Sequence, residues 1–172
     1  MLIKKYYSFT VVVILILCSS CQILYNPDQS ELAPKIVRVA ALTYAKEYVS
    51  LGAVYEWGGQ DPLPRTIKVD CSGLVIRCYE YACSDHGYSL PFNDMNAIGI
   101  KDYCDSVNPE PGDLIFMGDN NVISHVAIYE KTEDQRIYFI DSTTITGVVS
   151  ERSYSADSSK FISFGRIHLY KE

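Results

Sequence analysis

The hydrophobic rhythm of this chain changes once, at Pro111-Gly112, and that change limits the folds open to it. Before it, apolar residues recur at helical spacing. Val37, Ala40, Ala41, Tyr44, Ala45, Tyr48 and Val49 share one face of a helix expected from Lys35 to Leu51, which Gly52 terminates. Leu74, Val75, Cys78, Tyr79 and Ala82 share a face of a second helix that begins near Cys71, with Asp70 in the N-cap position. Tyr55 to Arg65 is rich in Gly and Pro and reads as loop, and Phe92 to Ile98 has room for one or two further helical turns. After Pro111-Gly112 the runs are short and β-like: Leu114 to Met117, His125 to Glu130, Arg136 to Asp141 and Phe161 to Leu169. Turn residues separate them at Gly118 to Asn121, Glu133-Asp134 and Ser155 to Ser159. Helices first and antiparallel strands afterwards make an α+β domain, with N-terminal helices packed on an antiparallel β-sheet.

The N-terminus follows a different logic. Lys4 and Lys5 precede an apolar run from Phe9 to Leu17, broken only by Thr10, and Ser19, Ser20 and Cys21 follow. Charge, apolar core and small residues at the cut are the three parts of a secretory signal, and the apolar run is too short to span a bilayer. Ser-Ser-Cys resembles a bacterial lipobox, which makes Cys21 the expected lipidation site; Cys18 occupies the place where lipoboxes usually carry Leu. The expected organisation is a signal peptide over 1–20, a tether over 21–34 and one catalytic-size domain over 35–172, exported and held to a bacterial membrane through its N-terminal lipid. Removal of 1–20 takes two lysines from 15 basic residues and leaves all 21 acidic ones, so the net charge moves from −6 to −8. Such a domain is repelled by anionic headgroups, and acyl anchoring works through buried methylenes rather than charge. The acidic balance also excludes nucleic acid as a partner.

Four cysteines remain in the domain: Cys71, Cys78, Cys83 and Cys104. Their spacing offers no zinc site, and no metal or organic cofactor is expected. Cys78 reads as a small buried apolar residue, and a Cys83–Cys104 disulfide is left open. Cys71 is different. A cysteine in the first turn of a helix meets unpaired backbone N–H groups and the positive end of the helix dipole, which favour thiolate over thiol. The same N–H groups can hold an oxyanion. A buried structural Cys at a helix start is the alternative. A thiolate nucleophile needs a base, and His125 is the best placed of three histidines: it opens a strand after a turn, whereas His86 lies in a turn-like surface stretch and His168 stands four residues from the end. Asp141, at the end of the next strand, is positioned to orient its imidazole, or else is an ordinary strand-end cap. Tyr55, in Tyr55-Glu56-Trp57-Gly58-Gly59, offers a phenol to the oxyanion, while Trp57 reads as a packing residue.

Together these pieces resemble the NlpC/P60 family of papain-like cysteine peptidases. The matching segments are Tyr-x-Trp-Gly-Gly at 55–59, Asp-Cys-Ser-Gly-Leu-Val at 70–75, Leu-Pro at 90–91, Pro-Gly-Asp-Leu-Ile-Phe at 111–116 and Ser-His-Val-Ala-Ile-Tyr at 124–129. Each is weak alone; five in order with fitting gaps are specific. The resemblance implies a papain-like fold with Cys71 as nucleophile, His125 as base, and Tyr55 with the backbone of Ser72 or Cys71 at the oxyanion. It also implies a structural Asp113 and, as substrate, peptidoglycan stem peptides cut between D-γ-glutamate and the diamino acid, by a monomer. The family's third polar residue is most often His, sometimes Asn or Gln, and Asp141 stands in its place. A wall-peptide binding module that no longer cuts, and a same-fold amidase or acyltransferase on another substrate, are the competing expectations.

Overall fold

The computed structural model describes residues 29–64 and 67–172. The expected signal peptide, Cys21 and the first part of the tether lie outside the described residues. In chain order the elements are β1 (Ser30–Leu32), α1 (Lys35–Ser50), β2 (Val54–Tyr55), β3 (Lys68–Val69), α2 (Cys71–His86), β4 (Tyr88–Ser89), α3 (Ala97–Lys101), β5 (Cys104–Ser106), β6 (Leu114–Asp119), β7 (Val122–Glu133), β8 (Arg136–Ser142), β9 (Val149–Ser155) and β10 (Phe161–Lys171). The expected α+β architecture is what forms.

Both main helices follow from their sequences. α2 starts where the Asp70 side chain accepts the Gly73 N–H at 2.7 Å, and it stops at Gly87, which takes the left-handed conformation at φ 71°. Its apolar face of Leu74, Val75, Cys78, Tyr79 and Ala82 is buried, as the spacing requires. α1 packs beside it through Val37, Ala41, Ala45 and Tyr48.

β6, β7, β8 and β9 form an antiparallel meander, and β10 returns along the free side of β6, giving the order β1-β10-β6-β7-β8-β9. β4 and β5 also pair with β10. The strands bury both faces by alternation. Leu114, Phe116, Val126, Ile128 and Ile140 join the helices in one cluster; Ile115, Met117, Ala127, Tyr129, Ile137 and Phe139 form a second, closed by Tyr154, Phe161 and Phe164.

Several expectations are corrected. Ser30–Leu32, within the stretch read as tether, pairs with β10, so the folded unit starts before Lys35. The turn expected over Phe92 to Ile98 falls later, over Ala97–Lys101, where Asn96 caps it by accepting the Gly99 N–H. His86 is the last residue of α2 rather than part of a turn, and His125 lies inside β7 rather than at its start. Cys83 and Cys104 are both free, so no disulfide joins them. Strand β9 was not foreseen: Val149-Ser150-Glu151-Arg152-Ser153-Tyr154-Ser155 has almost no apolar alternation. It forms because every residue pairs with β8, from Ser142↔Val149 to Arg136↔Ser155.

Candidate active site

Close backbone packing brings the start of α2 to the sheet. Gly73 lies against the loop after β2, and a Cβ there would sit 2.1 Å from the Gly59 carbonyl oxygen. The Gly58 N–H donates to the second carboxylate oxygen of Asp70, so one side chain caps the helix and holds the glycine loop. On the other side, Ser142 Oγ donates to the Val69 carbonyl at 2.6 Å, tying the end of β8 to the residue two before Cys71. The N-terminus of α2, the Tyr55 loop and the ends of β7 and β8 therefore meet. Between them is a cleft of about 370 Å³.

Cys71, His125, Asp141 and Tyr55 all line this cleft. Ile128 faces Ile140 across β7 and β8, which leaves His125 and Asp141 as diagonal neighbours on one face of the sheet. His125 Nε2 bonds Asp141 Oδ2 at 2.7 Å, and Asp141 is fully buried. The other ring nitrogen is free of Asp141, and Cys71 stands close enough across the cleft to act on the basicity of the ring. Burial of the ring acts to lower its basicity. The hydrogen bonds to Asp141 and Cys71 and the charges of both partners outweigh it and raise the His125 pKa from 6.5 to about 9. The imidazolium is thus the favoured form at neutral pH.

Tyr55 keeps its phenolic proton: burial, then the nearby Cys71 and Asp70, push its pKa up. A protonated phenol beside the thiol can donate to an oxyanion. The first amides of α2, those of Cys71 and Ser72, have no helical carbonyl to bond. The Ser72 hydroxyl faces away from this task, donating to Asp70 Oδ1 at 3.0 Å, so Ser72 has only its backbone to offer. The other three cysteines of the described residues are not part of the site. Cys78 is buried with its pKa well raised, and burial lifts Cys83 and Cys104 to about 12. Asp113 is structural, as expected: fully buried, it takes both Arg166 Nε and Nη2 at 2.8 Å and the Glu110 N–H.

Trp57 is not a packing residue. It is 87% exposed at the rim of the cleft, and Ile145 stands exposed on the same rim. Sequence reasoning also missed Arg152 and Tyr154, which reach the cleft from β9. Arg152 Nη1 donates to Asp141 Oδ2 at 2.9 Å, and its Nη2 bonds the Tyr154 hydroxyl. A basic residue in a run beginning Val149-Ser150-Glu151 was the available signal, but without the strand there was no reason to aim it at Asp141.

The fold and the site define a class: an α+β domain in which a helix-start thiol, an imidazole and a buried carboxylate converge in one cleft. The chain belongs to the NlpC/P60 family, whose model matches residues 52–163. It is 32% identical over 118 residues to the probable endopeptidase p60 of Listeria innocua, covering 68% of this chain and 22% of that protein. To the probable endopeptidase p60 of Listeria monocytogenes it is 34% identical over 79 residues, covering 46% of this chain and 15% of that one. The chain thus spans about a fifth or less of the length of these relatives. Among solved structures, NlpC1 from Trichomonas vaginalis superposes with a TM-score of 0.57 at 21% identity, over 86% of this chain and 49% of that one. Ly7917 does so with a TM-score of 0.52 at 15% identity, over 76% and 62%. At these identities the likeness is one of fold.

Proposed function

We propose that the chain is a cysteine-type amidase that hydrolyses peptide bonds in peptidoglycan stem peptides. The observation that carries this reading is the convergence of the Cys71 thiol with a His125 that is bonded to the buried Asp141 carboxylate, all lining one cleft. Membership of the NlpC/P60 family and the resemblance to probable endopeptidases support a hydrolase, and the wall peptide is the substrate most in keeping with that family.

The Cys71 thiolate attacks the scissile carbonyl. The amides at the start of α2, with the Tyr55 hydroxyl, hold the developing oxyanion. His125, already the imidazolium, gives its proton to the leaving amine, and a thioester on Cys71 results. The neutral imidazole then takes a proton from water. The water attacks the thioester, the acid leaves and the thiolate is restored. Asp141 keeps the ring oriented through both halves. The bond proposed is that between D-γ-glutamate and the diamino acid. The proposed setting is the bacterial envelope, with export directed by residues 1–20 and a lipid on Cys21 supplying the tether.

Mass spectrometry of muropeptides after incubation of purified murein with the protein tests bond and activity together. New termini at the γ-glutamyl linkage are expected, and they vanish in Cys71→Ala. Turnover by that variant at the wild-type rate would remove Cys71 as nucleophile. Binding of wall peptides with no cleavage by the intact chain would reduce the domain to a binding module.

A further inference from the structure

Asp141 is an unusual orienting group. It is fully buried, yet its Oδ1 has no hydrogen-bond donor among the described residues. Both of its partners converge on Oδ2: His125 Nε2 at 2.7 Å from β7 and Arg152 Nη1 at 2.9 Å from β9. The register explains the symmetry. Phe139 faces Arg152 across β8 and β9, so Arg152 is the diagonal neighbour of Asp141 on one side as His125 is on the other. Arg152 is itself fixed. Its guanidinium lies 5.7 Å from the Phe139 ring centroid and 5.1 Å from that of Tyr154, and it donates to the Tyr154 hydroxyl. Two cations therefore compete for one oxygen of a carboxylate with no other support.

We propose that Arg152 is a positioning residue of this site. By sharing Oδ2 of Asp141 it holds the carboxylate in place to receive His125 and offsets its charge, so that a nearly neutral Asp–Arg pair orients the imidazole instead of a bare buried anion. The inference rests on the amidase reading for its catalytic meaning. A bare carboxylate would hold the imidazolium too firmly, and His125 must give its proton to the leaving amine and take another from water within each turnover. The other titratable and charged groups facing the cleft are Cys71 from α2, Tyr55 from β2, Tyr154 from β9, and the Lys160–Asp119 pair, with Asp70, the N-cap of α2, acting on Tyr55. Among the described residues Arg152 is the one cation besides His125 that is bonded to Asp141.

The test is an NMR titration of labelled histidine in the full chain carrying Cys71→Ala, which removes the coupled thiol, compared with the same chain carrying also Arg152→Met or Arg152→Lys. His86 and His168 report folding in each sample. With Arg152→Met the acid dissociation constant of His125 is expected to fall about tenfold, and with Arg152→Lys to stay within about threefold of the parent. In the chain with Cys71 intact, the alkaline limb of the rate profile should move up with the Met variant and kcat should drop, and Lys should restore both. A His125 titration unmoved by Met, or moved equally by Met and Lys, overturns the proposal. Should the Met variant fail to fold, a Lys variant that folds and still shifts tenfold overturns it alone. A wild-type chain that leaves murein uncut would defeat the amidase reading, while the titration would still decide the role of Arg152.

Discussion

In the proposed mechanism His125 carries the proton, and its raised pKa gives a directional prediction. If the imidazolium donates to the leaving amine as proposed, turnover should decline as pH rises through about 9, where the ring loses its proton. A rate profile on soluble wall peptides that stays flat to pH 10 would contradict this. Asp141→Asn keeps the size of the side chain but removes the charge beside the ring, and should lower kcat by about 10- to 1000-fold with the fold retained. Cys71 and His125 were legible because each carries a local cue, a helix start for one and a strand after a turn for the other. Asp141 was legible by its place in the following strand. Arg152 was not, since its role exists only across strands. Trp57 was misread because an isolated tryptophan in a glycine loop carries no periodicity to say which way it faces.

At the scale of elements, the site depends on the contact between the start of α2 and the glycine loop. Gly73→Ala would drive a methyl into the Gly59 carbonyl, a backbone atom that cannot swing aside. A stability loss of about 1–3 kcal/mol is expected, with a larger fall in activity than in stability because Cys71 shifts with its helix. Thermal melts and rates on one sample separate the two. Asp70→Ala removes the cap and the Gly58 bond together, and should cost about 1 kcal/mol or somewhat more. The helical half and the β6–β8 part of the meander were readable because their apolar residues recur at 3.6 and 2. β9 was not, because a mostly polar edge strand is specified by its partner. β1, β4 and β5 are too short to show a period, and each exists by pairing with β10.

Across the whole molecule, buried charge links the two halves. Asp113 meets Arg38 of α1 and Arg166 of β10, and Glu110 joins both arginines from the surface. Asp113→Ala leaves buried Arg38 with Glu110 as its remaining carboxylate and should cost about 1.5–3 kcal/mol, read as a lower denaturant midpoint. Acidity acts globally too. Because the folded-state pKa of His125 lies above its unfolded value of 6.5, its contribution to stability is full below about 6.5 and is lost as pH rises through about 9. The cysteines carry one more consequence. Of the four in the described residues, three sit sealed in the interior, held in their unreactive protonated form, while Cys71 opens onto the cleft. A small alkylating reagent should therefore consume a single equivalent in a protein cut to residues 29–172, which lacks Cys18 and Cys21, before any denaturant is added. The preparation can then be counted by its open thiols rather than by its mass.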